Sequence, residues 1–223
     1  MPLEPNTRYI QIAFNGDAQQ VEKILPQIEY DSRIIIEAGT PYIKLEGMYG
    51  VRLIREYWSG ILVADLKVTD GAVNEVLFAS AAGATAATVM GSAPIETLDL
   101  FTEFCAKRNI YSMIDMLGVK NPLRKILPMK HKPDFVVIHK GRDEESNRQK
   151  IIRYKDISKI RSKFDLFVSV AGGLDINSVR SAYFNGADVA VLNIVGKGDP
   201  NTGLSETADF QELIPKLLDQ VGR

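Results

Sequence analysis

The sequence predicts a single (β/α)8 barrel domain spanning residues 1–223, on three observations. Apolar β-type runs recur eight times, segments with helical apolar spacing follow them, and Gly, Asn and Pro punctuation falls after the runs. The first run is 9–14, and Val21, Ile24, Leu25 and Ile28 behind it fall on one helical face. Runs 34–36 and 61–64 are rich in Ile and Val, as strands buried on both faces of a parallel barrel require. Run 86–90 leads into Ile95, Leu98, Phe101 and Cys105, again at helical spacing. Runs 110–114, 135–138, 166–170 and 189–192 complete the set. Asn15-Gly16, Gly39-Thr40-Pro41, Asn121-Pro122 and Gly172-Gly173 mark loops after strands. A doubly wound open sheet is the alternative, disfavoured because no Gly-rich dinucleotide turn follows the first run.

Function is read from the residues that end the strands: Asn15, Glu37, Asp65, Asp115, His139 and the pair Gly172-Gly173. In such barrels the C-terminal strand ends carry the active site, so these groups converge on one mouth. The densest cluster is Ala64-Asp65-Leu66-Lys67-Val68-Thr69-Asp70, behind Ile61-Leu62-Val63. Strand alternation puts Asp65 and Lys67 on one side, with Asp70 in the loop beyond. Opposite charges about 4 Å apart attract by roughly 4 kcal/mol at an effective dielectric near 20, enough to keep both ionised. A strand-end salt bridge that aligns a loop is the alternative reading of that cluster.

Composition narrows the classes. At 223 residues the chain can bury one full core, and a formal net charge of −1 gives no general attraction to nucleic acid or membrane. No run is long enough to span a bilayer, and residues 1–7 form a short polar lead without signal-like character, so a cytoplasmic protein is expected. The lone cysteine, Cys105, excludes an internal disulfide and reads as a small core residue. His131, between Lys130 and Lys132, reads as part of a solvated turn. The charged segment 141–150 reads as a loop or as the solvated start of a helix.

Glu37-Ala38-Gly39-Thr40-Pro41, Lys44-Leu45-Glu46-Gly47 and the Asp65-x-Lys67-x-x-Asp70 motif resemble the orotidine 5′-monophosphate decarboxylase suprafamily. The resemblance continues through Ala82-Gly83-Ala84, Asp115-Met116-Leu117-Gly118-Val119, His139-Lys140-Gly141-Arg142-Asp143 and Ala171-Gly172-Gly173, over nearly the whole chain. Within the suprafamily the sequence is most similar to the branch of 3-hexulose-6-phosphate synthases and 3-keto-L-gulonate-6-phosphate decarboxylases. The orotidylate decarboxylases carry lysine where Glu37 stands and an Ile-Pro loop where Gly71-Ala72-Val73 follows.

The resemblance implies a (β/α)8 barrel, a homodimer with shared active sites, and a Mg²⁺ ion held by Glu37 and Asp65. Two hard carboxylate ligands suit Mg²⁺ with several retained waters; the alternative for Glu37 is a metal-free partner for Lys67. It implies Lys67 beside the reacting oxygens, Asp70 orienting Lys67 or a substrate hydroxyl, and Asp115 on substrate hydroxyls. His139, with an ordinary pKa near 6.5, is the expected proton carrier.

Substrate binding falls to Asn15, Arg142, Gly172, Gly173, Gly196 and Lys197. The backbone of Gly172-Gly173 and a helix starting near Asn177 would receive phosphate. Two departures stand out: Asn15 where the family has Asp, and Asn193-Ile194-Val195-Gly196 where it has Gly-Arg or Gly-Gly. Val195-Gly196-Lys197-Gly198 would then offer amides one step later, with Lys197 supplying charge.

The expected activity is a lyase on a phosphorylated keto-sugar through an enediolate, most like the aldol addition of formaldehyde to ribulose 5-phosphate or its reverse. A sugar-phosphate decarboxylase, favoured by Arg142, is the near variant, and orotidylate decarboxylation the more distant one. A non-catalytic metabolite-binding barrel is the reading of a different class, motivated by Asn15 and Asn193-Ile194.

Overall fold

In the computed structural model, eight parallel strands pair in sequence order and close on themselves. They are β1 (Tyr9–Phe14), β2 (Ile34–Ala38), β3 (Ile61–Val68), β4 (Ala86–Met90), β5 (Tyr111–Asp115), β6 (Phe135–His139), β7 (Phe167–Ala171) and β8 (Val189–Val195). Pairing of β1 with β8 seals the barrel and rules out the open sheet. The structure describes residues 3–147 and 149–222, so positions 1, 2, 148 and 223 of the expected domain, including the start of the polar lead, lie outside it.

Helices α1 (Ala18–Ile24), α2 (Thr40–Tyr57), α3 (Ala72–Ala81), α4 (Ile95–Lys107), α5 (Pro122–Ile126), α6 (Lys155–Arg161), α7 (Ile176–Phe184) and α8 (Phe210–Val221) surround it. A two-residue strand, β9 (Leu204–Ser205), extends the end of β8. Caps set where several helices start: Asp17, Asn121, Asp175 and Asp209 accept from backbone N–H groups in the first turn. Gly47 (φ 62°, ψ −154°) breaks α2 into two pieces, a conformation that suits only glycine.

Side-chain alternation divides the strands between two cores. Ile10, Ile12 and Phe14 point outward and pack under the helices, whereas Tyr9 and Ala13 point into the barrel. The inner floor is aromatic: Phe135 stacks on Phe167 (5.0 Å between centroids) and meets Tyr111 edge-on at 5.7 Å. Each fully buried aliphatic side chain contributes about 1.5–3 kcal/mol to this shell. Cys105 is buried in α4, and burial pushes its thiol pKa up, as suits a core residue. His131 is exposed, its N–H donating to Asp99 Oδ1 (3.2 Å), as a solvated turn requires. Segment 141–150 opens with a 3-10 turn, Arg142–Glu144, and among the described residues the next α-helix begins at Lys155. Among the described residues no helix is long and apolar enough to cross a membrane.

Candidate active site

On six strands the inward phase turns from apolar to polar towards the C-terminal end. Ile35 gives way to Glu37, Val63 to Asp65, Ala86 to Thr88, Met113 to Asp115, Val137 to His139 and Val191 to Asn193. These polar residues line one cavity of about 380 Å³ at the C-terminal end of the barrel, within the usual range for small-molecule sites. Asn15, Lys67, Arg142 and Gly172 also line it.

Lys67 lies at the centre. Its Nζ is 2.6 Å from Asp115 Oδ2 and 3.1 Å from Asp65 Oδ2. Regular alternation is not what joins Asp65 to Lys67, contrary to expectation. The β3–β4 register jumps between Ala64 and Val68, and Lys67 itself has φ 48°, a strained left-handed conformation for a non-glycine residue. Thr88 holds this bulge by accepting from Lys67 N (2.9 Å) and donating to Asp65 Oδ1 (2.7 Å). Thr40 donates to Asp65 Oδ2 (2.7 Å) from the first turn of α2.

Asp115, expected on substrate hydroxyls, lines the cavity, is only 2% exposed and already serves three donors of its own chain. It accepts from Lys67, from Leu117 N (2.9 Å), and faces His139 Nδ1 at 2.9 Å. Burial opposes ionisation of Asp115, but His139 and Lys67 outweigh it and hold its pKa well below the usual carboxylate range. Burial likewise opposes protonation of His139, yet the Asp115 carboxylate prevails and raises its pKa. Lys67 follows the same pattern: burial works against its charge, and Asp65 and Asp115 push its pKa above the ordinary lysine value.

Glu37 differs from these groups. Burial, then the nearby Asp65 carboxylate, push its pKa up to about 7. Its hydrogen-bond donor is Gln11 Nε2, and the ion pairs of Lys67 go to Asp65 and Asp115, so Glu37 is no salt-bridge partner of Lys67. Gln11 is itself buried, with Oε1 lacking a partner. Two repelling carboxylates beside an orphaned amide oxygen form a hard-oxygen donor set that fits a Mg²⁺ ion completed by water or substrate oxygens. Among the described residues no group of three or more His, Cys, Asp or Glu side chains could hold a metal.

The remaining expected residues divide. Asn15 donates to Asn193 Oδ1 (3.1 Å) across the β1–β8 seam. Arg142 reaches the cavity but is ion-paired with Asp199. Gly172 is indispensable, because a Cβ there would lie 2.0 Å from the Lys140 carbonyl oxygen. Asp70 is exposed, accepts from Gly71 N (2.8 Å) and does not enter the cavity of its own chain. Gly173, Gly196 and Lys197 also lie outside the cavity lining. The helix expected near Asn177 is α7, whose start is already capped by Asp175 (2.7 Å to Ser178 N). Gln11, Thr40 and Thr88 were not anticipated. Gln11 shares the inward phase of Tyr9, Ala13 and Asn15, a signal that could have revealed it.

Residues 8–205 match the orotidine 5′-phosphate decarboxylase / HUMPS family. Proteins named "Bifunctional enzyme Fae/Hps" are similar in sequence. That of Methanocella arvoryzae is 39% identical over 188 residues, covering 82% of this chain and 48% of the relative. That of Methanosphaerula palustris is 36% identical over 217 residues, covering 96% and 52%. The chain thus spans about half the length of these curated relatives. Among solved structures, 3-hexulose-6-phosphate synthase from Salmonella typhimurium superposes with a TM-score of 0.80 at 21% identity, covering 96% of this chain and 98% of that one. KGPDC from Streptococcus mutans in complex with D-R5P gives 0.74 at 18% identity, covering 96% and 97%.

Proposed function

The chain belongs to the orotidine 5′-phosphate decarboxylase / HUMPS family, and on that premise we propose that it is a carbon–carbon lyase acting on a phosphorylated keto-sugar. The observation that carries this reading is the hydrogen-bonded row of half-buried Lys67, buried Asp115 and half-buried His139 beside the paired carboxylates Glu37 and Asp65. Relatives named for Hps, hexulose-6-phosphate synthase, favour the aldol form: formaldehyde added to ribulose 5-phosphate, or the reverse.

In the forward direction a proton leaves the carbon beside the sugar carbonyl, and its electron pair passes to the carbonyl oxygen. The enediolate carbon then bonds to the formaldehyde carbon, whose oxygen takes up a proton. His139 suits the proton transfers, because Asp115 fixes Nδ1 and leaves Nε2 to exchange. Lys67, held protonated, cannot be the base; its ammonium offers a fixed positive charge to developing oxyanions. Thr40, Thr88 and the bulge at Lys67 hold these groups in place before substrate arrives. A Mg²⁺ ion held by Glu37 and Asp65 would supply Lewis acidity. Decarboxylation of a β-keto acid sugar phosphate is a second reading, favoured by Arg142 at the cavity wall.

A homodimer with shared sites belongs to the same proposal. Asp70 is exposed and outside its own cavity lining, and Leu45 and Tyr49, either side of the break in α2, expose apolar surface at 66% and 65%. The test is to mix the protein with ribulose 5-phosphate, formaldehyde and Mg²⁺ and follow formaldehyde. Mg²⁺-dependent consumption that disappears in Lys67→Ala is expected. No consumption would shift the reading to the decarboxylase or to a binding barrel without catalysis.

A further inference from the structure

We propose that Glu145 and Glu206 act as internal anions on the backbone loops that follow β7 and β8, so that the anionic end of a substrate must displace the protein's own carboxylates. This rests on the phosphorylated-substrate reading above and identifies two residues that set affinity for the phosphate end.

Gly172 and Gly173, after β7, have φ of 108° and 67°. Among the described residues their N–H groups make no backbone hydrogen bond outside helices and strands. Neighbouring free amides of this kind are receptive to anions. The Glu145 carboxylate already packs against them: a Cβ on Gly173 would lie 3.0 Å from its Cδ and Oε2. Glu145 Oε2 accepts from Thr202 N (3.0 Å), whereas among the described residues its buried Oε1 has no partner. A buried carboxylate oxygen with no donor is poorly satisfied, so this occupant is held loosely.

The β8 side repeats the arrangement with a residue from another segment. Glu206 Oε1 accepts from Lys197 N (3.2 Å), and Oε2 accepts from Gln20 Nε2 (3.3 Å). A Cβ on Gly196 would lie 3.4 Å from Oε1. The nearby cation is engaged too, since Arg142 is ion-paired with Asp199. Carboxylates therefore occupy Lys197 N and Thr202 N on the β8 loop and crowd Gly173 on the β7 loop, where a phosphate would sit. A dianion entering here meets like charge and must release those donors, which lowers its apparent affinity by the fraction of molecules in which they are free.

Calorimetric titration of inorganic phosphate into the whole chain tests this without any need for turnover. Glu206→Gln and Glu145→Gln keep the size of each side chain and remove its charge, and each is expected to tighten phosphate binding about tenfold. Glu29→Gln, an exposed charge in the loop leading into β2 at the opposite end of the barrel, controls for net charge and stays within about twofold of the parent. If one glutamine variant fails to fold by circular dichroism, the other carries the test. Binding by both glutamine variants no tighter than Glu29→Gln overturns the proposal, as does an absence of phosphate binding in every variant. Failure of the lyase reading registers separately, as no formaldehyde consumption by the parent.

Discussion

Over β2, β3, β5 and β6 the mouth of the barrel is built from buried side chains, whereas over β7 and β8 it is built from glycine backbone and loop carboxylates. On the first side Lys67 and His139 each have an opposite charge within hydrogen-bonding distance, and Asp115 serves both. On the second side the donors are amides, and the charges facing them, Glu145, Asp199 and Glu206, come from three separate loop positions. The difference separates two tasks. On the proposed lyase reading, the groups that would match a transition state are fixed in advance, at the expense of strain at Lys67 and Glu37. On the same reading, the groups that would meet the far end of a substrate are left to rearrange.

The largest effect expected on the fixed side is from Lys67→Ala, which should lower kcat/KM about a thousandfold, since it removes the charge facing the reacting oxygens. A loss below about tenfold in steady-state kinetics would show that the strained lysine is only structural.

Asp115→Asn sharpens the comparison through pH. In the parent, a His139 acting as base is active when neutral, so turnover should rise with pH through an inflection above the ordinary value near 6.5. Removing the carboxylate leaves burial, with the Lys67 charge behind it, opposed only by the weaker pull of Asp65, so the inflection should move downward. An unmoved profile would break the link between Asp115 and His139.

Glu37→Gln tests strain as stability. The folded-state pKa of Glu37 is raised to about 7, so the folded chain binds more protons than the unfolded one between the ordinary glutamate value and about 7. The parent therefore loses stability as pH rises through that window. Without divalent cations, the glutamine variant should be more stable than the parent at pH ~8 by roughly 3 kcal/mol, with the gain vanishing below pH ~4.5. Added Mg²⁺ should stabilise the parent and leave the variant unchanged. Denaturant titrations across pH check both statements, and a variant less stable at high pH would show that Glu37 is unstrained.

The smallest effect belongs to the adjustable side. Lys197 is exposed, and only its backbone N–H is engaged, with Glu206. Its solvated charge is screened, so Lys197→Ala should change KM by no more than about threefold. A larger change would mean that side chains do more on this side than the backbone does.

The same contrast explains what could be read beforehand. An acid or histidine that ends an apolar strand is conspicuous, so Glu37, Asp65, Asp115 and His139 were legible along with the barrel they terminate. Gln11 and Thr88 were not, because an amide or a β-branched hydroxyl inside an apolar run looks like ordinary strand sequence; only their inward phase distinguishes them. The bulge at Lys67 leaves no mark in residue type, so regular alternation gives the pairing with Asp65 but not the geometry that makes it. On the β7–β8 side every residue but proline carries an amide, and which carboxylate faces which loop depends on distant segments meeting. Arg142 was legible as a candidate, and its capture by Asp199 was not.

If the fixed side makes an enediolate, the protein should exchange a sugar proton without the aldol acceptor. Ribulose 5-phosphate, Mg²⁺ and the protein are incubated in D₂O without formaldehyde, and the proton signals beside the carbonyl are followed by NMR. The account predicts that the parent replaces one of those protons with deuterium and that Lys67→Ala does not. No exchange in the parent, or equal exchange in Lys67→Ala, would contradict it.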